Sequence, residues 1–170
     1  VTGGDHAYVD QAANVNGKDI NNVLKLGTSS ATGSATITVP GDVSSISFYA
    51  VAWNGSSSTK LVFKLNGNTI GTIDPKANSG LKGNPPYTLT VTGDDYYTIN
   101  LPASSSTSSN KFAGPFFAGA GDKNIEVSTE GDNPRAAIFG IRTDKDPGNS
   151  SGGGGGENPP AGGAVVATGA

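Results

Sequence analysis

Apolar and polar residues alternate along most of the first 143 positions. In Ser34–Val39, Ala35, Ile37 and Val39 fall on one side and Ser34, Thr36 and Thr38 on the other. Thr59–Leu65 sets Leu61, Phe63 and Leu65 against Lys60, Val62 and Lys64, and Tyr87–Val91 sets Tyr87, Leu89 and Val91 against Thr88 and Thr90. Asp95–Leu101 sets Tyr97, Ile99 and Leu101 against Tyr96, Thr98 and Asn100. Lys123–Thr129 sets Ile125 and Val127 against Asn124, Glu126 and Ser128. A period of two with one wet face is the pattern of antiparallel sheet. Weaker versions in Asn22–Leu26, Asn68–Ile73 and Arg135–Arg142, with the strand at Ser44–Trp53, bring the expected total to about nine strands.

Turn chemistry separates these runs. Gly-Asp stands at 41–42, 93–94, 121–122 and 131–132, each beside a strand. Asn66-Gly67-Asn68 reads as a tight hairpin, because Asn and Gly accept positive φ. Only Asp5–Ala13 reads as helical, with Asp5 able to cap a short turn. The expected architecture is therefore all-β: an antiparallel sandwich or jelly roll over residues 1–143.

One strand breaks the alternation. Ser44–Trp53 carries Ile46, Phe48, Ala50 and Ala52 on one face, and Tyr49, Val51 and Trp53 on the other. Such a strand is either central and covered on both sides, or it offers an aromatic surface to a ligand.

Composition narrows the function. The chain has 170 residues, enough for one domain and a tail. Its 18 Ser, 16 Thr and 15 Asn, against 15% charged residues, give a neutral, hydroxyl-rich surface. A net charge of −3 without a basic run excludes a nucleic-acid binder that works by phosphate neutralisation. With no Cys and a single His, His6, neither a thiol nucleophile, a zinc ribbon nor a multi-His metal site can be built. No run of 18 apolar residues exists, so no helical membrane span is expected. The start at Val1-Thr2-Gly3-Gly4 and the absence of Met read as a mature or excised fragment. From Asp144 the text turns to five consecutive Gly, a Pro pair and small residues. Residues 144–170 are expected to be a linker to a further module.

The runs Leu24–Ser30, Gly33–Pro40 and Ser47–Gly55 resemble β-sandwich modules that recur in secreted and cell-surface proteins of gut-type Bacteroidota. The closing pair, Asn124–Thr129 with Arg135–Arg142, is similar to the last two strands of galactose-binding-like jelly rolls, a fold that includes many carbohydrate-binding modules. The resemblance covers roughly residues 20–143. It implies a galactose-binding-like fold and a secreted or cell-surface setting, and it transfers no binding residue position by position.

Trp53 and Tyr49 are the first candidate ligand-binding residues. Sugar rings present C–H faces that stack on aromatic planes while their hydroxyls keep hydrogen bonds at the rim. Asn54, Lys60 and Lys64 are expected near Trp53; the competing reading is that Trp53 packs in the core or covers one end of the sandwich. Tyr96 and Asn100, on the polar side of their strand, are candidates for lining a groove, unless Tyr96 merely covers a neighbour. In Asn110–Phe117 three Phe surround a Gly-Pro, with one Phe exposed or plugging an end. Asp94, Asp95, Asp122, Glu130 and Asp132 sit at turns that could hold a structural calcium, although Gly-Asp turns explain them without an ion. No cofactor is otherwise expected. Every acid lies in turn-like, hydrated sequence, which does not suit the apolar acid pair of glycoside hydrolysis, so no enzyme is expected. The leading expectation is a non-catalytic accessory module that binds a polysaccharide or oligosaccharide. A covalently linked neighbouring domain would gain effective concentration at the glycan, with no nucleic-acid partner and no membrane insertion. The alternative is a structural or adhesive immunoglobulin-like spacer, or a surface-assembly subunit, that contacts protein.

Overall fold

The computed structural model describes residues 1–55, 58–102 and 121–146. Asn110–Phe117 and all of the expected linker beyond Asp146 lie outside the described residues. Eleven strands are present among those described: β1 (Thr2–Gly3), β2 (Ala7–Val15), β3 (Lys18–Leu26), β4 (Ser34–Val39), β5 (Ser45–Ala52), β6 (Lys60–Leu65), β7 (Asn68–Ile73), β8 (Tyr87–Leu89), β9 (Tyr96–Asn100), β10 (Lys123–Glu130) and β11 (Ala136–Thr143). They form a five-stranded sheet in the order β1-β4-β10-β6-β7 and a six-stranded sheet in the order β8-β2-β3-β11-β5-β9. Every pairing is antiparallel except β2 with β8. The architecture is all-β and sandwich-like. No helix among the described residues is long and apolar enough to cross a membrane.

The alternating runs become strands nearly as read, and Asn66-Gly67 makes the β6–β7 hairpin with φ of 53° and 82°. The helical reading of Asp5–Ala13 is overturned: these residues belong largely to β2. Asn16 and Gly17, with φ of 53° and 91°, form a two-residue turn that pairs Val15 with Lys18. The period of two is hidden because the register slips between Tyr8 and Gln11, around Asp10 at φ 55°.

The main core lies between the sheets. Leu24, Leu26, Ile46, Phe48, Ala50, Ala136 and Ile138 from the six-stranded sheet meet Ala35, Ile37, Leu61, Phe63, Leu65, Ile125 and Val127 from the five-stranded one. Lys60 and Lys64 alternate with these core residues, so they face outward from the five-stranded sheet. They sit across from Glu130 and Glu126, and Lys60 Nζ is 2.7 Å from Asp74. The expectation that they flank Trp53 is therefore corrected.

A second apolar cluster covers the other face of the six-stranded sheet. After β7 the chain runs beside the end of β5: the Ala52 amide donates to the Lys76 carbonyl at 2.9 Å, and the Asn78 amide to the Ala52 carbonyl at 3.0 Å. It then crosses to β2, where β8 pairs in parallel. Along this path Leu81, Tyr87, Leu89 and Val91 pack with Val51, Ala137, Phe139, Val23 and Ala13. The two-sided apolar character of β5 thus has a physical cause: this strand is covered on both faces.

The acids at 94 and 95 serve a turn. Thr92 and Asp95 form a reciprocal cap on the single 3₁₀ turn Gly93–Asp95, with the Thr92 amide 3.0 Å from Asp95 Oδ2. Among the described residues no group of three or more potential metal ligands converges.

Asp144 fastens the end of β11 to the start of β5. It accepts from the Ser44 hydroxyl and, at 2.9 Å, from the Ser44 amide. Burial alone would raise its pKa. The hydrogen bonds from Ser44 and Ser45, with Lys145 nearby, outweigh that and leave it lowered. A depressed folded pKa means that the stabilisation is complete above the unfolded value of ~4 and is lost as pH falls through the folded value. Asp144→Asn is expected to cost about 1 kcal/mol at neutral pH, a figure kept small because solvent reaches the site. The cost should shrink in acid, as read by urea denaturation at pH 7 and pH 3; a difference that grows in acid would refute the assignment.

Candidate functional site

The register of the six-stranded sheet builds a row on its outer face. Tyr8 on β2 lies opposite Lys25 on β3, Lys25 opposite Ala137 on β11, and Ala137 opposite Val51 on β5. Trp53 follows one two-residue step beyond Val51, and its amide donates to the Arg135 carbonyl at 2.9 Å. The small Ala137 leaves the lysine and the indole room to meet. Lys25 Nζ lies 4.6 Å from the Tyr8 ring centroid and 5.1 Å from that of Trp53. The Arg135 guanidinium carbon lies 4.2 Å over Trp53, and Tyr87 meets the indole edge-on at 6.2 Å. Tyr8 is 40% exposed, while Trp53 is half-buried.

Two cations therefore converge on one indole at an aromatic rim. Lys25 Nζ donates to the Gly27 carbonyl at 2.8 Å, and Arg135 Nε to Asn133 Oδ1 at 3.0 Å. Neither has an ion-pair partner among the described residues, where the ion pairs are Lys60–Asp74 and Lys76–Asp94. Burial lowers the pKa of Lys25, and Arg135 lowers it further. Burial also lowers that of Arg135.

The other sequence candidates share this face of the sheet but not this site. Tyr49 is four positions from Trp53, about 13 Å along the strand. Its ring stacks on Phe139 at 5.5 Å and tilts against Tyr96 at 4.8 Å. Burial, with Tyr96 and Asp95 adding to it, pushes the Tyr49 hydroxyl up to about 12. Tyr96, expected on a wet face, is only 8% exposed, because the outer face here is an aromatic layer rather than a solvated one. Its hydroxyl is buried without a hydrogen bond of good geometry; the neighbouring Ser47 hydroxyl is bonded to Thr98 at 2.8 Å. Asn100 is exposed but pairs with Ser45, eight positions and about 26 Å along the strand from Trp53. The four residues are thus strung along β5 and β9, and only Trp53 stands at the rim.

Three members of the cluster escaped the sequence reading: Tyr8, Lys25 and Arg135. Asn16-Gly17 was the available signal. A hairpin there makes residues 7–15 the partner of 18–26 and carries Tyr8 to the side of Lys25. A separate cavity of about 460 Å³ lies beside the β2–β3 hairpin, lined by Ala12, Ala13, Asp19, Ile20, Asn21 and Pro86. Its one carboxylate, Asp19, accepts from Asn14 at 2.8 Å.

No family model and no curated protein matches the chain. Among solved structures it is similar to the enzymatically active domain of bacteriophage CBA120 tailspike protein 4. That alignment has a TM-score of 0.34 and 17% identity, over 71% of this chain and 15% of that one. A likeness this distant carries no weight for function.

Proposed function

We propose that this chain is a non-catalytic carbohydrate-binding module, with a galactose-binding-like jelly-roll topology, belonging to a secreted or cell-surface protein. The observation that carries the reading is the rim itself: an exposed tyrosine ring beside a half-buried tryptophan, bordered by nitrogen donors rather than by further apolar side chains. Aromatic planes take the C–H faces of a pyranose, and the Lys25 and Arg135 nitrogens and the exposed Asn54 supply donors at the edge. Binding centres on Trp53 with Tyr8 as its exposed neighbour. Tyr49, Tyr96 and Asn100 lie farther along the same face of the sheet, away from this contact. Asp144 and Asp146 are bonded into the domain, and the Gly- and Pro-rich sequence that follows them would tether the module to a neighbouring domain, holding that partner close to an insoluble polysaccharide.

The test is affinity electrophoresis against a panel of neutral and charged polysaccharides. Wild-type protein is expected to be retarded by at least one of them, and Tyr8→Ala and Trp53→Phe to weaken that retention by about tenfold, or ~1.4 kcal/mol. Tyr8 is exposed enough that its loss leaves the fold intact. Retention unchanged in both variants would remove this rim from the site. Failure to bind any polysaccharide would leave the adhesive, protein-contacting reading in its place.

A further inference from the structure

We infer that the rim selects acidic sugars: Lys25 and Arg135 together hold the carboxylate of a hexuronate residue whose ring lies against Tyr8 and Trp53. This rests on the carbohydrate-binding reading and specifies its ligand class.

The geometry carries it. Both cations lie over the same indole, which places them within roughly 9 Å of each other, close to the Debye length at physiological salt. One cation suffices to cover an indole face. A second of like sign adds repulsion: burial is the larger cause of the lowered proton affinity of Lys25, and Arg135 lowers it further. The chain is acidic overall, with 14 Asp and Glu against 11 Lys and Arg, yet none of those carboxylates among the described residues forms an ion pair with either cation. An anion placed between the two turns this repulsion into attraction.

The donor set also specifies the kind of anion. Arg135 has Nε committed to Asn133, which restrains the guanidinium over Trp53, and no hydrogen bond among the described residues engages its terminal nitrogens. A planar fork matches a planar carboxylate with two parallel hydrogen bonds. Lys25 Nζ spends one donor on the Gly27 carbonyl and retains two. Lys25 Nζ lies 4.6 Å over one face of the Tyr8 ring, the most exposed aromatic ring among the described residues, so a sugar packed beside that ring brings its C6 carboxylate within reach of the charge. Neutral hexoses carry a hydroxymethyl group at that position and would leave the cation pair uncompensated.

The experiment compares polygalacturonate, alginate and hyaluronan, each beside its carboxyl-reduced counterpart, by affinity electrophoresis and calorimetry with the whole chain. Reduction keeps ring and linkage and removes only the charge. Dextran sulfate beside dextran controls for non-specific ion exchange. At least one uronate is expected to bind about tenfold or more tightly than its reduced form, with affinity falling as salt rises. Arg135→Gln and Lys25→Gln should each abolish most of that preference while residual binding to the reduced polymer persists. Arg135→Lys, which keeps the charge but not the fork, should fall between. Thermal melting of each variant checks the fold.

Equal binding to a uronate and its reduced form, with loss in Trp53→Phe, would overturn the acidic preference and leave the carbohydrate reading standing. Binding that follows charge alone, strongest on dextran sulfate and indifferent to Trp53→Phe, would overturn the inference as ion exchange. No binding to any polymer would overturn both.

Discussion

Phe48→Ala is expected to destabilise the protein by about 3–5 kcal/mol, the range for truncating a fully buried aromatic side chain. Phe48 has no exposed surface and sits on β5, the strand covered on both faces. Its ring stacks on Phe63 of the opposite sheet at 5.2 Å and meets Tyr97 at 6.4 Å. The Phe48–Phe63 contact is where the two sheets touch through rings, so its loss removes apolar burial and a favourable aromatic pair, and it leaves a void between rigid layers. A domain of this size has roughly 5–15 kcal/mol in all, so the variant should retain a native fold only at low temperature or low denaturant. Guanidinium unfolding reads it directly: the midpoint should fall sharply with little change in slope. Phe48→Leu, which keeps most of the volume, should cost clearly less. A Phe48→Ala loss below about 1 kcal/mol would mean that the sheets do not pack through this ring.

The parts of this fold that could be read from the sequence are those governed by local periodicity. Ser34–Val39 and Asn68–Ile73 match their strands residue for residue, because one face meets the core and the other meets water. Asn66-Gly67 was legible for the same reason, since turn chemistry is a property of two adjacent residues. Residues 7–15 were not legible. The slip around Asp10 breaks the alternation that would have marked β2, and only the register with β3 restores it. Tyr96 shows the other limit. Its strand alternates as a half-wet strand should, with Thr98 and Asn100 on the same side, yet the ring is buried against Tyr49. What decides this is Tyr49, forty-seven positions earlier and paired with it across the sheet, together with the aromatic layer that Phe139 completes.

The candidate site follows the same rule more strictly. Trp53 could be singled out because it is the only tryptophan in the chain. Lys25 and Arg135 could not, because a lysine between two leucines and an arginine before two alanines are ordinary strand residues. They become a pair only through the order β2-β3-β11-β5, which brings residues 8, 25, 135 and 53 to one edge. The roof over the remainder of that face has a consequence for binding as well. With Leu81, Tyr87, Leu89 and Val91 covering the middle of the sheet, Tyr8 at the Tyr8–Trp53 end is the most exposed aromatic residue on this face among those described. A ligand there meets cations rather than a broad apolar plane.

Gly27→Ala is expected to cost about 3 kcal/mol or more, and to disturb the ligand rim as it does so. Gly27 follows β3 at φ +87°, and a methyl group built there would lie 1.8 Å from the Pro134 carbonyl oxygen and 2.9 Å from its carbon. Those are backbone atoms at the entry to β11, so no side-chain rotation relieves the contact. The Gly27 amide donates to the His6 carbonyl at 2.9 Å, and its carbonyl accepts from Lys25 Nζ. Any displacement therefore shifts the Tyr8 strand, Lys25 and Arg135 together. Gly17→Ala separates the two causes of destabilisation. Gly17 has nearly the same φ, +91°, but a methyl group there meets nothing within 4 Å. It should cost only the left-handed backbone penalty of ~1–2 kcal/mol. The excess of Gly27→Ala over Gly17→Ala, read by paired denaturation curves, isolates the close approach of β3 to β11. Acid-sugar affinity should fall in Gly27→Ala and hold in Gly17→Ala. Equal stability losses in the two variants would mean that the strands do not approach as described, and the rim, which depends on that approach, would lose its geometric basis.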